Sequence, residues 1–140
     1  MTAVYGTLAM ALWMGGLRGA VSFGPLWHGH DMIFGFAGAT IAGFLLTAVP
    51  RWTGQPGVQG VWLLALFALW VLGRLTMAFD GPDWLDMLFL PALAVVATRD
   101  IVAGRNWRNL AIPVVLVCLS ILNIRFHRDT GVIDASDALR

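Results

Sequence analysis

Apolar residues run along the chain in five blocks, Thr2 to Leu17, His30 to Val49, Val61 to Phe79, Trp84 to Val102 and Asn109 to Phe126, with most polar residues gathered between them. At ~1.5 Å of rise per residue, blocks of this length come close to crossing a ~30 Å hydrocarbon core as helices, the form that satisfies every backbone polar group within one segment. Gly15-Gly16, Gly24-Pro25, Pro50, Gly54 to Gly60 and Gly81-Pro82 punctuate the gaps, where helices are expected to stop. Trp27, Trp52, Trp62, Trp84 and Trp107 fall at block ends, the headgroup depth that indoles prefer. The fourth block is the least regular, with Pro91 inside it and Arg99-Asp100 near its end, whereas Pro113 lies in the first turns of the fifth, where a missing N–H costs little. The pattern predicts an all-α polytopic membrane protein, a bundle of about five transmembrane helices forming a single domain over residues 1–140.

Composition supports the same class. Apolar residues make up 59% and charged residues 12% of the chain, against about 25% charged in a soluble domain. Every basic residue is Arg and every acidic one Asp, and a net charge of +1 leaves no basic surface for nucleic acid. Cys118 is the sole cysteine, which excludes an intrachain disulfide and a cysteine-built zinc or iron–sulfur site within one chain. The first block lacks the positive flank and small-residue cleavage site of a secretory signal, so it is read as a helix.

Five crossings give each loop a side. With Met1 on side A, the loops holding Arg51 and holding Arg105 and Arg108 return to side A. Arg18, the acidic loop Asp80 to Asp86 and the C-terminus lie on side B, and His28, His30 and His127 all reach it. Arg74 approaches the same side, as do Met14, Met32, Met77 and Met87. The Arg counts on the two sides are similar, and side A is taken as cytoplasmic.

The second block carries the densest polar chemistry. Trp27 and His28 stand just before it, His30 and Asp31 open it, and from Met32 to Val49 there is no charge. Gly35, Ala39 and Gly43 recur every four residues, a small-residue row that predicts close helix packing and that Asp31 and Thr47 extend. At ~100° per residue His28 and His30 point about 200° apart on a helix, so the two share a centre only where the chain is still extended at His28. Paired histidines at a membrane boundary suit haem iron or copper, with a neighbouring carboxylate fixing the tautomer; equally, they can cap the helix and bind headgroups. Asp31 serves as a helix-dipole residue, an orienting acid or a proton relay. The methionines are soft copper donors or ordinary helix filling, and Cys118 reads as a small apolar residue. Arg74, inside the third block, needs a partner: headgroup phosphate, Asp31 or a haem propionate.

These residues resemble the NnrS family of bacterial membrane proteins, whose pattern runs W-H-x-H-E-M-x-F-G-F and then A-G-F-L-L-T-A-x-P-x-W-T-G. The chain has Trp27, His28, His30, Asp31, Met32, Phe34, Gly35 and Phe36, then Ala42 to Ala48, Pro50 and Trp52 to Gly54, with weaker similarity at Gly73-Arg74, Arg108 to Leu110, Asn123 and Phe126-His127. Asp31 stands where the family has Glu, a shorter reach by one methylene, and the chain resembles the N-terminal part of a longer architecture. The resemblance implies a multi-pass protein of the bacterial inner membrane that binds haem, copper or both and is linked to nitric oxide stress and denitrification. It implies His28 and His30 as metal ligands, with His127, Asp31 and Arg74 as further cofactor-binding candidates, and the lipid bilayer, a second copy or further helices as partners. Catalytic residues and enzymatic activity are left open, and the rival reading is a transporter-like or structural membrane subunit without cofactor.

Overall fold

The computed structural model describes residues 2–17, 25–79 and 81–137, all of whose regular elements are helical. Helix α1 covers Thr2–Leu17. A second helical run comprises α2 (Pro25–His30), a π-helical stretch (Asp31–Ala37) and α3 (Gly38–Thr53). Then follow α4 (Val61–Ala78), the single turn α5 (Trp84–Met87), α6 (Phe89–Ala103), a 3-10 turn (Trp107–Asn109) and α7 (Ala111–Asp137). Each of the five apolar blocks thus forms a helix. Three segments, Trp27–Thr53, Val61–Ala78 and Trp107–Asp129, are long and apolar enough to cross a membrane. At 16 and 15 residues, α1 and α6 are shorter than these three segments.

Pro50 departs from the expectation and Pro91 meets it. Pro50 does not close its helix, which runs on to Thr53 and stops at Gly54, whose φ of 69° is the left-handed conformation favoured at a helix C-terminus. The Gly54 N–H bonds back to the Pro50 carbonyl at 2.9 Å. Pro91 does interrupt the fourth block: the helix is broken at Leu88, and Pro91 falls in the first turn of α6, where its N–H would have had no intrahelical acceptor.

The chain forms two compact units, Met1–Phe44 and Leu45–Arg140, with the boundary inside α3. In the first unit α1 packs on the π-helical stretch. Gly6 makes the approach close, since a Cβ there would lie 2.9 Å from the Phe36 ring. In the second unit α6 packs on both α4 and α7. Its buried residues Phe89, Leu90, Leu93, Ala94, Ala97, Asp100 and Ile101 follow the three-and-four spacing of one helix face.

On α7 the distribution is inverted relative to a soluble helix. The buried row is Pro113, Leu116, Ser120, Asn123 and His127, while Val114, Val115, Val117, Ile121 and Leu122 point outward. Lipid tails are as apolar as these side chains, so exposing them costs nothing in a bilayer, and the polar groups turn inward to find partners. Arg99 and Asp100 divide the same way: Asp100 is buried and Arg99 leaves the protein, with Arg99 Nε 3.2 Å from Asp100 Oδ1.

The small-residue row is corrected by the structure. Asp31 and Gly35 are buried, but Gly43 and Thr47 are exposed, and a Cβ on Gly43 would meet nothing within 4 Å. The buried positions are instead Asp31, Gly35, Gly38, Ala42, Leu45 and Val49, alternating steps of four and three. A strict every-fourth row drifts by about 40° per step around an α-helix and so leaves the packed face within two or three turns.

Candidate functional site

Each unit holds a buried polar cluster. In the first, the helix has already begun at Pro25, so His28 and His30 leave opposite faces, the arrangement in which they address two places. His30 is 1% exposed and lies against Phe34, ring centroids 4.9 Å apart. His28 is half-buried. Asp31 is buried and accepts a hydrogen bond at Oδ1 from the Tyr5 hydroxyl of α1. The π-helical turn starts at Asp31, and such turns, with their i→i+5 bonding, recur at functional sites. It re-aims the side chains after His30 by shortening the angular step per residue, so that His30, Asp31, Phe34 and Gly35 are all buried. On this unit Met10, Met14 and Met32 line an open groove of about 610 Å³ with Gly6, Thr7, Ala11 and Phe36.

The second cluster centres on Asp86, a residue the sequence reading left in the acidic loop. The short turn α5 carries it inward to 3% exposure. Gly73 permits this: a Cβ there would lie 2.9 Å from the Asp86 Cα, so only glycine lets α4 and α5 come so close. The next residue, Arg74, then forms a buried ion pair with Asp86 Oδ1 through its Nη2. The other carboxylate oxygen, Oδ2, accepts from Asn123 Nδ2 at 3.0 Å and lies 3.0 Å from His127 Nε2. On the far side of the imidazole, Nδ1 is 3.6 Å from Oδ2 of the exposed Asp83. One carboxylate therefore ties α4, α5 and α7 together.

Of the residues singled out from sequence, His30 and Asp31 are neighbours in the first unit, Arg74 and His127 meet on Asp86 in the second, and His28 stands apart from His30. The counter-charge for Arg74 comes from Asp86. Sequence reasoning gave no site role to Asp86, Asn123 or Tyr5, although Asn123 lies among the residues of the resemblance. Two of the three had a signal: Ser120, Asn123 and His127 form a polar row at helical spacing in an otherwise apolar helix, and Asp86 lies inside the fourth apolar block. Tyr5 had none.

The donor set suits the groups that the resemblance implies. Imidazole nitrogen binds haem iron and copper well, a carboxylate beside it can fix the tautomer, and thioether sulfur is a soft donor for copper. No curated protein and no solved structure matches the chain. The profile described as NnrS protein matches residues 1–140, and the resemblance residues His30, Asp31, Arg74, Asn123 and His127 all lie in the two polar clusters; the chain belongs to the NnrS family.

Proposed function

We propose that this protein holds haem, copper or both in the bacterial inner membrane, as a multi-pass protein of the response to nitric oxide and of denitrification. The observation that carries the reading is His30: a fully buried imidazole, next in sequence to the buried Asp31, at a π-helical turn in a segment long enough to cross a membrane. His30 would be the leading ligand. His28, on the other helix face, would serve a second place, and His127 is a third candidate. Bound haem iron or copper supplies a coordination position for a small diatomic molecule. Asp31, held by Tyr5, would orient a ligand imidazole, and Arg74 with Asp86 would keep the second cluster in shape. Lipid is the immediate partner, and a second copy or further helices of a longer chain would cover the outward apolar faces.

An absorption spectrum and metal analysis of the purified protein test this. A Soret band or bound copper is expected; His30→Ala should lower occupancy several-fold and His28→Ala should lower it too, with both variants still inserted in the membrane. Full occupancy in both variants would return the histidines to helix capping.

The buried ion pair of Arg74 and Asp86, with the His127 imidazole against it, favours a second reading, a transporter-like subunit without cofactor. A colourless, metal-free protein that carries out proton-dependent flux in vesicles would select it.

A further inference from the structure

Where α3 ends and α6 turns into α7, the second unit carries three exposed arginines, Arg51, Arg105 and Arg108, and a polar recess that Arg108 lines. Gly104 is pressed against Thr53, where a Cβ would lie 2.6 Å from the Thr53 carbonyl oxygen. Asn106 Nδ2 donates to the Trp52 carbonyl at 3.0 Å. Between them Arg105 is held at φ 51°, a left-handed conformation uncommon for any residue but glycine. This turn sets Asn106, Arg108 and Asn109 against Trp52, and the four line a recess of about 470 Å³.

Arg51, Arg105 and Arg108 are exposed, and among the described residues none of them has an ion-pair partner. Asp100, the nearest acid in the chain, is buried with Arg99 alongside. Asp83 and Asp129 belong to the other end of the unit, near His127. This end of the unit therefore carries uncompensated positive charge, with Arg108 in the recess itself and Arg105 three residues before it. Its depth is set by Trp107, the first residue of a membrane-length segment, and by the exposed indoles of Trp52 and Trp107. Beyond it Leu110, just before α7, and Val114 and Val117 on α7 are exposed, an apolar track on which acyl chains can lie.

We propose that this recess binds the headgroup of an anionic phospholipid, its phosphate gripped by Arg105 and Arg108. A guanidinium fork offers a phosphate two parallel charge-assisted hydrogen bonds, and net positive charge disfavours a headgroup that carries its own cation. The site is independent of any cofactor.

Native mass spectrometry of the full chain in detergent, titrated with phosphatidylglycerol or phosphatidylcholine of the same acyl chains, tests it. Phosphatidylglycerol should half-saturate at roughly thirtyfold lower concentration, the scale expected of two arginines near a lipid surface. Arg105→Gln with Arg108→Gln should bring the two lipids to parity; the Lys double variant should keep part of the preference, and Arg125→Gln, at the other end of α7, should keep it whole. Equal binding by the native chain, or a preference that survives the Gln double variant, overturns the proposal. So does displacement of phosphatidylglycerol by millimolar inorganic phosphate at matched ionic strength, which would make the recess a site for the free anion.

Discussion

Asp86 shows how much one side chain can organise. It meets a guanidinium, an amide and an imidazole from two other helices while almost wholly removed from solvent. Removing one partner from a buried pair leaves a charge with no adequate compensation, which costs about 3–5 kcal/mol, whereas removing both leaves neutral groups. Arg74→Gln and Asp86→Asn should therefore each lower stability in a detergent unfolding assay, and the double variant should lose clearly less than the two losses added. Strict additivity would mean that the pair does not form. Arg74 by itself announced in the sequence that it needed a partner, because a guanidinium inside an apolar block is tolerated only when it pairs or reaches the headgroups. Which acid would pair with it was not legible: Asp31 and Asp86 were predicted at the same side, and only the close approach at Gly73 brings Asp86 to the neighbouring Arg74.

At the scale of the element, the five helices were legible because long apolar blocks between Gly and Pro leave a membrane chain little alternative. Their packed faces were not. In a helix bounded by lipid, apolar residues point both inward and outward, so the usual contrast between a buried apolar stripe and a solvated polar one disappears. Polar and small residues mark the inner face instead, as Ser120, Asn123 and His127 do on α7 and Gly73 on α4. Two glycines separate the true face from the apparent one. Gly73→Ala would press its methyl on the Asp86 backbone and should cost about 1–3 kcal/mol. Gly43→Ala meets open space and should be neutral or stabilising by about 0.5–1 kcal/mol, through helix propensity. Equal melting temperatures for the two variants would remove the α4–α5 contact.

For the molecule as a whole, the second unit fixes which loops share an end: Asn106 bonds the end of α3, and His127 lies by Asp83. In sealed vesicles, with Cys118→Ser as background, Gln59→Cys and Arg105→Cys should label from one side and Pro82→Cys and Asp129→Cys from the other. Labelling of Pro82→Cys together with Gln59→Cys would show that α4 does not cross. Sequence alone determined the class of fold, the helix positions and the family, since length, hydropathy and a long motif are properties of the chain read in order. Which acid neutralises Arg74, that His28 and His30 point apart, and that Asp100 turns in while Arg99 turns out were decided only by the tertiary structure. Those facts depend on where a helix starts and how closely two backbones approach, and a shift of a single residue rotates a side chain by about 100° and changes what it meets.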